Sequence, residues 1–293
     1  MLIVVGIVLV IFSVITGYMA HGGNLAILWQ PFELLIIFGA AFGGFLIANP
    51  GKVVKQVFAF IPLVFKGSPY GKATYMDLLA MLYELFQKSQ REGLLAIEAD
   101  IDDPENSELF RKYPDITKEH HAMEFLMDYL RLMVGGSMNP HELEALMEHE
   151  LETLHEEEEQ AAHAVNRVAD ALPGFGVIAA ILGIVIAMGS IDGPVATIGE
   201  LVAAALIGTF LGILAGYSFV GPLSAAIEHQ AREKSKFLHI IKVTLVAILN
   251  GYKPVLAIEF GRKVMYEAER PSFSELEDYV KGRKPEASAE GAA

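Results

Sequence analysis

Apolar residues gather into four blocks along the chain, and almost every charge lies between them. The blocks are Met1–Ala20, about Phe32–Ala48, about Gly174–Ile191 and about Leu201–Gly221. A bilayer core of about 30 Å is crossed by roughly 20 apolar residues in a helix. Each block therefore reads as a transmembrane helix, the second being short. The first lacks the basic n-region of a secretory signal and its apolar run is long for one, so it reads as a retained span. Between the blocks, apolar positions recur at helical spacing. Leu78, Leu79, Leu82, Leu85 and Phe86 form one such stripe, and Phe125, Leu126, Tyr129, Leu130 and Met133 another. No alternation long enough for a strand is present. The pattern defines an all-α polytopic membrane protein with four transmembrane helices and a large helical cytoplasmic domain. Its segments are 1–49 (spans one and two), 50–172 (the helical cytoplasmic domain), 173–221 (spans three and four) and 222–293 (C-terminal helices and tail).

Local signals mark helix starts. "TYMD" (Thr74–Asp77) and "TIGE" (Thr197–Glu200) resemble capping boxes, which would explain Glu200 structurally. Asn139 with Pro140 predicts an N-cap and first turn. "SFSE" (Ser272–Glu275) predicts a final short helix. The end, "KPEASAEGAA", is small and polar and reads as disordered.

Charge then fixes orientation. The connections 21–31 and 192–200 contain no Lys or Arg, and all 22 basic residues lie in 49–173 and 222–293. The positive-inside rule places both large segments and both termini in the cytoplasm, with Tyr18 and Trp29 as anchors at the outer interface. Net charge is −14, which argues against nucleic acid as a partner. There is no cysteine, so thiol catalysis and disulfides are excluded. Residues 50–172 hold 23 acidic against 11 basic side chains, densest in "EHELETLHEEEEQ" (148–160). That run suits a solvated helix face or an acidic docking surface. His141, His149, His155 and His163 lie in or near it, but no pair has the spacing of a metal site.

Small residues and one hydroxyl carry the remaining signal. Ala204, Gly208, Gly212 and Gly216 fall every four residues on span four, Ala179, Gly183 and Ala187 on span three, and Gly39 and Gly43 on span two. Such stripes let helix backbones approach within a membrane. Spans three and four contain no ionisable side chain, and Thr209 is the hydroxyl at mid-depth. A lone Thr in a span usually bonds its own i−4 carbonyl. Glu33 stands at the start of span two, where a carboxylate suits the positive helix end. Pro173 and Pro222 sit where spans three and four meet cytoplasmic helix. They either end helices or form a hinge pair.

The segments "PGFGVIAAILGIVIAMGS" (173–190), "IGTFLGILAGYSFVGPL" (207–223) and "NGYKPVLAIEFGRKVMYEAERPSFSELE" (250–277) resemble the stator A subunits of the MotA/TolQ/ExbB proton-channel family. The cytoplasmic "REGLLAIEADIDDPENSELF" (91–110) and "MDYLRLMVGG" (127–136) match as well, and the likeness covers Met1 to about Val280. The resemblance implies an ion-conducting flagellar stator subunit of the bacterial inner membrane, not an enzyme, with no cofactor. It implies a pentamer of this chain around single-span, peptidoglycan-binding B subunits, whose aspartate carries the ion. It further implies that Thr209, Ala180 and Gly176 line the ion pathway and that Pro173 and Pro222 couple ion passage to movement. Arg91, Glu98 and Glu150 would meet a rotor switch protein; some members carry that arginine one position earlier, where this chain has Gln90. With few hydroxyls near the path, protons are expected rather than sodium. The alternatives are a TolQ/ExbB-like transducer, which would have three spans, and a non-conducting membrane scaffold.

Overall fold

The computed structural model describes residues 2–136 and 138–282, and every regular element among them is helical. The "KPEASAEGAA" end lies outside the described residues. Helices α1 (Leu2–Ala20) and α3 (Pro31–Ala48) are joined by the single turn α2 (Leu25–Leu28), whose Ala26 amide donates to the Asn24 side chain at 3.0 Å. Asn49 and Pro50 separate α3 from α4 (Gly51–Lys66). Then come α5 (Lys72–Glu92), a 3₁₀ turn (Leu94–Ile97), α6 (Glu98–Asp102), α7 (Pro114–Thr117) and α8 (His120–Gly135). The long α9 (Pro140–Gly189) returns through the third apolar block. It is followed by α10 (Val195–Ala215), a π-helical stretch (Gly216–Val220), α11 (Gly221–Leu249), α12 (Pro254–Lys263) and α13 (Phe273–Val280). Among the described residues four helices are long and apolar enough to cross a membrane, and they correspond to the four expected blocks.

By contacts the chain divides at other places than by hydropathy. One compact unit comprises residues up to Ser68 with Glu156–Ala231, and the other Pro69–His155 with residues from Arg232 on. Helices α9 and α11 contribute to both units, because each continues unbroken from apolar into charged sequence.

In the second unit the two stripes read from sequence form the core. Leu78, Leu79, Leu82, Leu85 and Phe86 of α5 pack with Phe125, Leu126, Tyr129, Leu130 and Met133 of α8, and α11 adds Phe237, Ile240, Ile241 and Leu245. Two of the four cap readings hold. The Glu142 amide donates to Asn139 Oδ1 at 3.0 Å while Glu142 Oε2 accepts from the Asn139 amide at 3.1 Å, and Ser272 and Glu275 form the same reciprocal pair. The other two do not. Helix α5 starts at Lys72, so Thr74 lies inside it and donates instead to Pro69 O at 2.8 Å. Helix α10 starts at Val195 behind Pro194, so Thr197 and Glu200 are also interior, and Glu200 is an exposed side chain rather than a cap. In both cases a preceding Gly or Pro gives the backbone an earlier start than the polar residue would.

Lys72 Nζ lies 2.8 Å from Glu275 Oε1 and holds that carboxyl below its ordinary range. A depressed folded-state pKa means a contribution present at neutral pH and lost as pH falls through it. The acidic run is partly taken up internally. Glu148 pairs with buried Lys242, Glu150 Oε2 accepts from the Tyr129 hydroxyl at 2.6 Å, and Glu157 reaches Lys52 at 3.5 Å. Among the described residues no group of three His, Asp or Glu side chains comes together to hold a metal.

The first unit is built from small contacts. Val53, Val57 and Val64 of α4 face Ala161, Ala162, Ala164 and Val165 of α9, and α1 buries none of its residues. The second unit has one equally close contact at Gly261 of α12. A Cβ there would lie 2.5 Å from Thr244 Oγ1 and 2.8 Å from Leu79 Cδ2. Gly261→Val should therefore lower stability by ~1–3 kcal/mol, the usual cost of overpacking. An unchanged thermal midpoint for the purified variant would contradict that packing.

Candidate functional site

The site is the seam between residues 169–183 of α9 and residues 205–216 at the end of α10, which run antiparallel. Side chains could not fill it. A Cβ on Gly212 would lie 2.7 Å from Leu172 O and 2.9 Å from Gly176 Cα, and one on Gly216 would lie 2.6 Å from Ala169 O. A Cβ on Gly208 would stand 3.2 Å from Ala179 Cβ, and one on Gly176 2.9 Å from Gly208 O. The helices thus touch backbone to backbone, as small-residue membrane interfaces allow. Ala179 and Ala187 are buried as expected.

Two stripe residues are placed differently. Ala204 is only half-buried, and fully buried Ala205 makes the outer contact, its Cβ 2.8 Å from a Cβ built on Gly183. A row taken every four residues drifts around a helix of 3.6 residues per turn, so the seam moves off Ala204. Among the described residues, a Cβ built on Gly39 would meet only a Leu35 methyl at 4.0 Å, and one built on Gly43 nothing within 4 Å. The inward face of α3 is instead Ile37, Ala41 and Phe45.

Thr209, Gly176 and Ala180 are brought together at mid-seam. Thr209 Oγ1 lies 3.5 Å from Gly176 O, across the interface rather than on its own helix. That is the outer limit of a hydrogen bond, so the hydroxyl is held loosely. Ala180 is 8% exposed, and its amide nitrogen lies 3.7 Å from a Cβ built on Gly208. The arrangement offers one hydroxyl and backbone carbonyls with no charge of their own. It can orient water or a visiting carboxyl.

Neither proline ends a helix. Pro173 lies inside α9, and Pro222 is the second residue of α11, directly after the π-helical stretch. There the Gly221 amide donates to Gly216 O, five residues back. A π turn widens the helix just before a proline that has no amide to give. Pro173 Cδ lies 3.1 Å from a Cβ built on Gly216. The two proline joints therefore touch through a glycine, a contact the sequence did not announce.

The charged trio does not form one face. Arg91 is in the last turn of α5 and Glu98 starts α6, with Gly93 (φ +89°) and the 3₁₀ turn between. Seven residues of spacing would be two turns on one helix, but the chain turns at Gly93. Both side chains are exposed and make no ion pair among the described residues, while neighbouring Lys88 is engaged with Asp100 at 2.7 Å. Glu150 stands apart on α9, bonded to Tyr129.

This is the architecture of a helical membrane protein whose spans meet at backbone distance. The chain belongs to the MotA/TolQ/ExbB proton channel family: that family's model matches residues 117–239, and the model "Motility protein A N-terminal" matches 4–93. It is 48% identical to motility protein A of Escherichia coli (strain K12) over 97% of this chain and 96% of that protein. The flagellar MotAB stator complex from Bacillus subtilis matches with a TM-score of 0.71 at 25% identity, over 87% of this chain and 92% of that one. C. jejuni MotAB gives 0.77 at 22%, over 92% and 98%, a likeness of fold. The chain is a membrane-embedded subunit of the flagellar stator class and not an enzyme.

Gly212→Leu should force α9 and α10 apart and abolish motility with the protein still made, measured as swarm diameter beside an immunoblot. Normal swarming would mean that the seam tolerates a side chain. Thr209→Val keeps the shape and removes the hydroxyl. Torque should drop at unchanged protein level, and wild-type torque would show that the oxygen is dispensable.

Proposed function

We propose that the chain conducts protons inward together with a single-span B subunit and converts their passage into torque on the rotor. The observation that carries this reading is helix continuity. Helix α9 runs without a break from the Gly176 seam through Pro173 into charged sequence, and the π stretch with α11 does the same from Gly216 through Pro222. A displacement forced at the seam is thereby transmitted along covalently continuous helix. The seam lacks a carboxylate on α9 or α10, and the family resemblance supplies the ion-carrying one from the partner helix. Thr209, Gly176 and Ala180 would receive it.

The solved relatives are MotAB complexes, which supports a B-type partner here. Unpacked Gly39 and Gly43 and the exposed α1 leave membrane-facing surface for neighbouring copies, in keeping with a pentamer. The basic residues favour the inner membrane with both termini in the cytoplasm. Arg91 and Glu98 are the charges offered to the rotor, with Glu150 a lesser one because Tyr129 already holds it.

Co-purified with its partner and placed in liposomes, the chain should admit protons down an imposed gradient, read by an internal pH dye. Sodium-dependent uptake without acidification would replace protons by sodium, and no uptake would leave a scaffold. Exposed charges act weakly, ~0–1 kcal/mol per pair and screened beyond about 8 Å at physiological salt. Single neutralisations at Arg91 or Glu98 should therefore reduce swarming modestly, while Arg91→Glu with Glu98→Lys should reduce it most. An opposite reversal on the rotor partner should restore part of it. Full motility of the double variant at normal abundance would remove these residues from the rotor contact.

A further inference from the structure

Glu33 is the sole acidic residue of α3, two positions from its first residue. Its sequence position suggests the outer edge of a span. The structure places it deeper. Turn α2 packs against α10, and so does α3. As a result α3 begins beside the middle of α10 and not beside its first turn. A Cβ built on Gly208 would lie 3.6 Å from Glu33 Cγ. Gly208 is roughly 20 Å along the helix from Val195 at ~1.5 Å per residue, and it immediately precedes Thr209. The carboxylate-bearing side chain therefore meets the fourth span at the level of the candidate pathway.

Beyond the positive end of α3, where it lies in the first turn, no partner accounts for it. Glu33 is half-buried, and among the described residues it makes no hydrogen bond or ion pair. It caps nothing: the N-cap of α3 has no side-chain bond, and Gln30 donates to Ile27 O instead. Beside it on α10 stands Gly208, which offers room and no partner. An ionisable group inside a membrane protein is expensive to keep and marks a pathway where no structural partner explains it. The other acids of the outer side, Asp192 and Glu200, are exposed.

We propose that Glu33 is a proton relay on the outer side of the pathway. Its carboxylate takes a proton from outside water and releases it to water near Thr209, from which it passes to the partner's carboxyl. The side chain ends each cycle as it began, and no other reactant is needed. This rests on the reading of the chain as a proton-conducting subunit.

The test uses motile cells lacking their own copy of the protein and carrying the wild type, Glu33→Gln or Glu33→Asp. Torque is followed from acid to alkaline external pH, with protein level checked by blotting. With the relay removed, Glu33→Gln should lose torque on the order of tenfold at alkaline pH, where protons are scarce, and little at acid pH. That is short of the 10²–10⁴-fold typical of a general acid or base, because water provides a parallel route. Glu33→Asp should recover most of the loss. Wild-type torque in Glu33→Gln at every pH, or a loss equal at every pH, overturns the relay. If Glu33→Gln does not accumulate, the wild-type complex is treated with an apolar carbodiimide, which reacts with protonated carboxyls in membranes, and mapped by mass spectrometry. An adduct on Glu33 that fades as external pH rises supports the relay, and none overturns it. Wild-type torque that tracks external sodium rather than pH would instead refute the underlying proton reading.

Discussion

The contact of α9 with α10 at backbone distance is the constraint on which the membrane unit rests. Lipid gives apolar side chains no reason to leave it for one another. Two spans stay together only if dispersion contacts are dense, and these become dense here because glycines at 176, 183, 208, 212 and 216 remove what would hold the backbones apart. The consequence is stiffness. A seam closed by main-chain atoms has no rotamers to rearrange, so α9 and α10 are expected to move as one piece, with adjustment left to the proline joints at its inner end.

That arrangement suits a subunit that lends shape rather than charge. The residues proposed to line the pathway are a hydroxyl, an alanine and a glycine, whose value would lie in where they hold water and a visiting carboxyl. The charges read as offered to the rotor lie in the second unit, where Lys88 with Asp100 and Lys112 with Glu84 tie down the surroundings of Arg91, which makes no ion pair among the described residues. Rigid packing in the membrane and available charge outside it are separate requirements, met by separate stretches of sequence.

Much of this was legible before any coordinates. The four spans were visible because membrane burial demands long uncharged runs, and the α5 and α8 stripes because helical period and burial coincide there. Asn139 and Ser272 announced true caps. Thr74 and Thr197 did not, since a capping box depends on where the helix starts, and Gly71 and Pro194 moved each start upstream. Arg91 and Glu98 lie seven residues apart, two turns on a single helix, and spacing says nothing about the turn at Gly93 that separates them. Ala204 was read in place of Ala205 because an every-four row drifts around a real helix. The depth of Glu33 was hidden for a different reason. It depends on how α2 and α3 pack against α10, a long-range contact that no local pattern encodes.

The π-helical stretch has a geometric consequence of its own. A row of every fourth residue advances about 40° around an α-helix at each step, so the glycine face of α10 would soon turn away from α9. Yet beyond the stretch α11 still faces the same neighbour: Ser224 donates to Ala162 O at 2.8 Å, and Ile227 is buried beside Ala161 and Val165. One extra residue in Gly216–Val220 takes up about 100° of rotation and works as a vernier, bringing the two helices back into phase. Deleting a single residue there would leave each half well formed and set them out of step, with Ser224 and Ile227 rotated off the helix they were meant to meet.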